Sequence, residues 1–292
     1  MSFHTKPNMY SSHVQLKVSN LAHSIAFYTN VLGFQVLEQI GQTVYFTADG
    51  QTSLVSLVEV PNAQPLKQGQ TGLYHFALLL PEKKDLGNFV QHLIELNVRI
   101  GAGDHHVSEA LYLNDPDGNG IEVYIDRPAE QWVWNNEHVY MTTDQVNFQG
   151  LLAAADGNWS GLPAGTVMGH VHLSVADLAK TEQFYTHVLD YKVVTRYGAQ
   201  ALFISTGKYH HHFGLNTWGS ANGTPVPENG VGLQSVTVVL NDEAYALQVK
   251  EALQNAGYTT SIVDNAPIYG GTQQFTVVDP NGIRLIFTTE GN

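Results

Sequence analysis

The stretch from Gly103 to Glu122 reads Gly-Asp-His-His-Val-Ser-Glu-Ala-Leu-Tyr-Leu-Asn-Asp-Pro-Asp-Gly-Asn-Gly-Ile-Glu. It predicts a strand ending at Tyr112–Asn114, a turn on Asp115, Pro116, Asp117 and Gly118, and a second strand over Ile121–Ile125. Side chains alternate along a strand, so Ile121 and Val123 point one way and Glu122 the other. A carboxylate with both faces of its strand buried is costly unless a cation or hydrogen bonds hold it. Glu122 is therefore where a metal ligand would sit. Fourteen histidines supply imidazole partners, while the absence of cysteine excludes thiolate ligands, disulfides and cysteine nucleophiles.

The rest of the composition narrows the setting. A chain of 292 residues normally divides into about two domains. Hydrophobic residues make up 43%, enough for packed cores, and a formal net charge of −13 argues against nucleic acid or an anionic membrane surface as partner. The first residues lack the apolar core of a signal peptide, and no run is long enough to span a membrane, so a cytoplasmic protein is expected.

The elements that must position Glu122 come from a repeat. His13-Val-Gln-Leu-Lys-Val18 matches His170-Val-His-Leu-Ser-Val175 at an offset of 157, which also carries Phe27-Tyr28-Thr29 onto Phe184-Tyr185-Thr186. A looser repeat pairs Gly72-Leu73 with Gly232-Leu233 and Asp115-Pro116-Asp117-Gly118 with Asp279-Pro280-Asn281-Gly282. Helical spacing of apolar residues near Asp85–Leu96 and Glu243–Ala256 lies between those anchors. The chain thus reads as four βαβββ modules, at about 10–60, 72–126, 168–218 and 231–289. Segment 127–167 joins the halves 1–126 and 168–292; its Trp132, Trp134 and Trp159 need burial, so it reads as an ordered strap with a short helix near Phe148–Ala155.

With these motifs the chain resembles the vicinal oxygen chelate superfamily, which includes glyoxalase I, the fosfomycin- and bleomycin-resistance proteins and the type I extradiol dioxygenases. Gly103-x-His105, Leu111-Tyr112, Asp115-Pro116-x-Gly118 and Glu122 are similar to the extradiol signature, closest to catechol 2,3-dioxygenase-like members. The resemblance implies an α+β fold in which the four modules pair into two cup-shaped half-barrel domains. It also implies an Fe(II)-dependent enzyme that opens an aromatic diol with O2, its metal held by two His and one Glu. Mn(II) shares this ligand set. Homo-oligomers are common, and the oligomeric state stays open. A glyoxalase-like lyase or isomerase, usually with two carboxylates, and a non-enzymatic binder of small aromatics are the alternatives.

Carried onto this chain, the resemblance implies His75 and Glu122 as ligands from module 2, with Ser235 and Arg284 at the equivalent places in module 4 and Thr276 in place of Tyr112. The third ligand is His170 if module 2 pairs with module 3, and His13 if the modules pair in chain order. His170 is preferred because module 3 also carries the run His210-His211-His212, where module 1 has Ser53-Leu54-Val55. Strand alternation then turns His210 and His212 toward the cup and His211 toward the helices. His212 is the expected acid/base, Tyr112 and His105 act on the diol, and His210 and His211 are expected at the substrate. His4, His23, His92, His138 and His187 read as surface residues, and Phe27-Tyr28 and Phe184-Tyr185 as helix packing.

Overall fold

The computed structural model describes residues 3–263 and 275–289. Residues 1–2 and 290–292, at the ends of the expected halves, and residues 264–274 of the fourth module lie outside the described residues. Module 1 runs β1 (Tyr10–Val18), α1 (Leu21–Asn30), β2 (Gln35–Ile40), β3 (Thr43–Thr47) and β4 (Ser53–Glu59). Module 2 repeats it with β5 (Gln70–Leu79), α2 (Lys83–Glu95), β6 (Gly101–Asp104), β7 (Ser108–Asn114) and β8 (Gly120–Asp126). The strap holds a short hairpin, β9 (Trp134–Asn135) and β10 (His138–Val139), and a helix, α3 (Phe148–Ala154).

Module 3 has β11 (Val167–Ser174), α4 (Leu178–Gln183), β12 (Lys192–Tyr197), β13 (Ala201–Ser205) and β14 (Phe213–Asn216), with the short β15 (Thr224–Pro225) after it. Module 4 has β16 (Gly232–Leu240), α5 (Glu243–Asn255), β17 (Ser261–Ile262), β18 (Phe275–Val278) and β19 (Arg284–Thr289). The helices start where short polar side chains satisfy otherwise unpaired amides. Asn20 accepts from the His23 amide, Asp177 from Lys180 and Asp242 from Tyr245, while Glu82 and Asp85 form a reciprocal capping box.

The strands build two sheets of the same design. One runs β17-β18-β19-β16-β1-β4-β3-β2, the other β12-β13-β14-β11-β5-β8-β7-β6, with β15 added beside β5. Each sheet therefore joins modules from opposite halves of the chain, module 1 with 4 and module 2 with 3. The halves 1–126 and 168–292 describe the order of the chain but not its sheets. Modules 1 and 2 meet through α1 instead. Tyr28 on α1 packs on Phe76 of β5 at 6.5 Å between ring centroids, and its hydroxyl donates to Asp115 at 3.2 Å. With α1 spanning that junction, the open edges of β1 and β5 are left to modules 4 and 3.

Alternation divides each sheet. Phe76 and Leu78 on β5, Ile121 and Val123 on β8, and Val171 and Leu173 on β11 are all buried in the helix-side core. His75, Glu122, His170 and His172 fall on the other, concave face. The strap closes over this module pair. Its α3 lies so close to α2 that a Cβ on Gly87 would meet the Leu151 carbonyl oxygen at 2.4 Å, so glycine is required there. Trp159 packs on Phe89 and His92, and Trp132 stacks on Phe3. His4, expected at the surface, is buried, with Nε2 at 2.7 Å from the Gly169 carbonyl oxygen. Its neighbour Phe3 fills an aromatic niche between Trp132 and Tyr209 and carries the tail inward. Among the described residues no helix is long and apolar enough to cross a membrane.

Candidate metal centre

Three adjacent strands carry the centre. In the second sheet β5 pairs in parallel with β8 and antiparallel with β11, and Ala77 is the partner of both Glu122 and His170. Side chains at paired positions share a face, so Glu122 and His170 flank Ala77, and His75, two residues earlier, shares it too. The small Ala77 leaves the space above it to the three longer side chains. On β11 a register shift lies between Met168 and His170. It uses Gly169, where a Cβ would sit 2.0 Å from the Tyr124 hydroxyl.

The three side chains converge. Glu122 Oε2 lies 3.0 Å from His75 Nε2 and 3.2 Å from His170 Nε2, and the two Nε2 atoms are 3.3 Å apart. All three residues are buried, and among the described residues they are the one such group whose donor atoms gather within 4.8 Å. Three lone-pair atoms so close repel one another unless a proton or a cation joins them. The edges of the triangle match neighbouring corners of an octahedron with metal bonds of about 2.1 Å, roughly 3 Å apart. The donor set thus fits a divalent transition metal.

Electrostatics agree. Burial lowers His170 to about 4, so its ring is a neutral imidazole near neutral pH. Burial alone would raise the Glu122 carboxyl, but the His170 and His75 imidazoles outweigh it and hold the group well below its usual range. The His170 ring is kept in place by packing, at 4.1 Å from His211 and 5.0 Å from Tyr124 between centroids. Its buried Nδ1 has no hydrogen-bond partner among the described residues.

One consequence is acid sensitivity. Burial places His13 at about 3 and His170 at about 4, against 6.5 in an unfolded chain. Below about pH 6.5 the unfolded state takes up protons that the folded state refuses, so stability falls as pH drops. The depressed Glu122 does not counter this, because its own contribution is lost only as pH falls below about 4.5. Between about pH 7 and pH 5 each histidine removes roughly 2 kcal/mol, and the Tm of metal-free protein is expected to fall by several degrees. A Tm unchanged across that range by calorimetry would contradict neutral, buried rings.

Tyr112 stands opposite Glu122 in the β7–β8 pair and so joins the same face. His105 Nδ1 lies 2.6 Å from the Thr142 carbonyl oxygen, to which it must donate. Its Nε2 then accepts from the Tyr112 hydroxyl at 2.6 Å. Burial and the Glu122 charge raise Tyr112 well above its ordinary pKa, so the hydroxyl keeps its proton.

The His210–His212 run departs from expectation. It precedes β14, which begins at Phe213, so it is not in a strand and the alternation does not apply. His211 lines the cavity above the triad. His212 turns away: its Nε2 lies 3.1 Å from the Phe3 carbonyl oxygen, and its Nδ1 accepts from the Thr206 amide at 3.3 Å. His210 does not line the cavity either, and its Nε2 lies 2.7 Å from Asp126.

His13 lies on β1 in the other sheet, opposite Thr237, and does not meet His75 and Glu122. In that sheet Thr237 pairs with Ile286, as Ala77 pairs with Glu122. Ile286, not Arg284, therefore stands at the Glu122 position, and Thr276 opposite it occupies the place of Tyr112.

The cavity has a volume of about 420 Å³. Its lining includes residues the sequence reading did not single out: His172, Tyr74, Trp218, Phe203, Tyr197 and Met141. His172 pairs with His75 across β11 and β5, and its ring lies 5.0 Å from Tyr74 and 5.5 Å from Trp218. Its place two residues after His170 would have identified it, given the pairing of modules 2 and 3. Gly214 beside it has no Cβ, which would meet the imidazole at 2.7 Å. Tyr74, Trp218 and Tyr197 are 46%, 42% and 47% exposed, which puts them at the mouth. Among the described residues the lining contains no Lys or Arg, and Glu122 is its one carboxylate.

Known proteins share this plan. The family described as the Glyoxalase/Bleomycin resistance protein/Dioxygenase superfamily matches residues 11–123 and 167–287. The sequence is similar to a catechol-2,3-dioxygenase of Bacillus subtilis (strain 168), 46% identical over 272 residues that cover 92% of this chain and 93% of the relative. The fold is similar to that of a putative dioxygenase from Bacillus subtilis subsp. subtilis str. 168, with a TM-score of 0.67 at 15% identity over 99% of this chain and 87% of the other. It is also similar to glyoxalase I from Zea mays, with a TM-score of 0.57 at 17% identity over 96% and 92%. At those identities the two structures speak for the fold alone, and the two matched segments account for most of the sequence. The chain belongs to the glyoxalase, bleomycin-resistance and dioxygenase superfamily.

Proposed function

We propose that this protein is an Fe(II)-dependent extradiol dioxygenase that cleaves an uncharged catechol-type diol with O2. The observation that carries the reading is the convergence of His75, Glu122 and His170 on one cavity, in a chain 46% identical to a catechol-2,3-dioxygenase over nearly its full length. His75 and His170 would hold the metal as neutral imidazoles, and Glu122 would supply the anionic ligand. The chemistry supplied by a metal held there would be Lewis-acid activation of the diol and binding of O2. Mn(II) suits the same donors, and reconstitution with each metal separates the two.

The chain's own residues would do the rest. His211, over the triad, would take the proton of the second hydroxyl. The Tyr112 hydroxyl, whose proton goes to His105, would accept a hydrogen bond from a diol hydroxyl. Tyr74, Trp218 and Phe203 would stack on the ring and keep water out. A glyoxalase-type reading needs a second carboxylate, and among the described residues the lining holds only Glu122.

Cavity charge supports an uncharged substrate. With no Lys or Arg among the described residues of the lining, a carboxylate on the substrate would be buried without a cationic partner. Protein loaded anaerobically with Fe(II) is expected to consume O2 with catechol or an alkylcatechol, and the ring-opened product is coloured. With dihydroxybenzoates of the same ring pattern, kcat/KM is expected to be lower by roughly 100-fold or more. No O2 uptake with any diol would sink the dioxygenase reading; equal rates for neutral and anionic diols would sink only the substrate class.

A further inference from the structure

Behind the cavity wall, the end of β8 meets the segment ahead of β14. His210 is fully buried, and its Nε2 lies 2.7 Å from Asp126 Oδ1. Its other nitrogen, Nδ1, lies 2.8 Å from Nδ1 of His211, the ring that lines the cavity. The Asp126 side chain is 20% exposed, so the chain of groups runs from the protein surface to the cavity. The Tyr209 hydroxyl also donates to Asp126, at 3.4 Å, and lies 2.7 Å from the Tyr124 hydroxyl.

These contacts decide which nitrogens carry protons. An ionised carboxylate only accepts, so His210 Nε2 must donate to Asp126. A neutral His210 then has a bare Nδ1, which can only accept. The hydrogen between the two rings therefore belongs to His211 Nδ1, and His211 Nε2 is left bare. Packing prevents the rings from turning to another arrangement. His211 lies between His170 and Phe203, at 4.1 and 4.9 Å between centroids, and His210 lies against Tyr209 and Trp132, at 4.1 and 5.2 Å.

We infer that Asp126 and His210 are positioning residues, holding His211 in the tautomer whose bare Nε2 faces the substrate. The consequence for catalysis rests on the dioxygenase reading. In the step concerned, the O–H bond of the second diol hydroxyl breaks and its proton bonds to His211 Nε2. The electron pair stays on the diol oxygen. The positive charge on His211 is then stabilised through Nδ1–H to His210 and on to Asp126. In the opposite tautomer His211 would present an N–H to the diol and could not accept the proton.

The first test needs no metal. Long-range nitrogen–proton NMR correlations on metal-free, isotopically labelled protein report the tautomer of each ring, and loss of signals in His211→Gln assigns His211. The expected result is a proton on Nδ1 and none on Nε2. A wild-type His211 with its proton on Nε2, whether or not His210 is doubly protonated, would overturn the inference.

The second test uses Asp126→Leu and Asp126→Glu in the Fe(II)-loaded enzyme. Asp126→Leu is expected to mix the two His211 tautomers and lower kcat by about 10- to 100-fold, with KM for catechol nearly unchanged. Asp126→Glu, which restores an acceptor, should recover much of both. An Asp126→Leu protein with wild-type tautomer and wild-type kcat would refute the positioning role. If wild-type enzyme cleaves no diol, the dioxygenase reading fails while the spectra still decide the tautomer.

Discussion

Glu122→Ala is expected to lose both bound metal and ring cleavage, whereas His13→Ala keeps both. Glu122 is the one carboxylate at the triangle of donors, at 3.0 and 3.2 Å from the two imidazole nitrogens. It is also the only anionic charge among the described residues of the lining. Outer-sphere substitutions at metal sites already cost about 10- to 100-fold in affinity, and loss of a direct ligand should exceed that. His170→Ala should behave like Glu122→Ala. Iron content after anaerobic loading and desalting, measured beside kcat, makes the comparison. Iron lost in His13→Ala and retained in His170→Ala would refute the triad.

A second pair of variants separates neighbours in the histidine run. His211→Ala is expected to retain iron but lose about 10²- to 10⁴-fold in kcat, the usual contribution of a positioned acid or base. His212→Ala should leave kcat within a few-fold of wild type and instead lower Tm. His212 joins the tail to module 3, through the Phe3 carbonyl oxygen and the Thr206 amide, and removing it takes that partner from the half-buried Thr206 amide and leaves the Phe3 carbonyl oxygen only Asn8 Nδ2. Roughly 1–3 kcal/mol follows from such a loss. Rates and melting temperatures measured on both proteins decide it. A large fall in kcat for His212→Ala with His211→Ala unaffected would return the acid/base role to His212.

Glu122 was identifiable from local pattern because a strand alternates strictly and a turn on Asp-Pro-Asp-Gly fixes where that strand begins. The offset of 157 made modules 1 and 3 visible, and the looser Gly-Leu and Asp-Pro-x-Gly repeat made modules 2 and 4 visible. The same logic failed at His210–His212, where the backbone leaves the extended conformation and a residue's neighbours no longer set its direction. Arg284 was a misplacement of the module 4 equivalent of Glu122: the offset of 164 that carries Asp115 onto Asp279 carries Glu122 onto Ile286, where the strand pairing also puts it.

Read along the chain, residue order defines the modules, their strands and helices, the absence of thiolates, and His75 and Glu122 as an imidazole and a carboxylate on neighbouring strands. All of these depend on local periodicity and residue type. The pairing of β5 with β11, which sets His170 rather than His13 beside them, and the turning of His211 rather than His212 to the cavity come from the folded arrangement of the modules. Every module offers a similar open strand edge, so pairing among modules depends on long-range packing such as Tyr28 against Phe76. Such contacts leave no periodic trace along the chain.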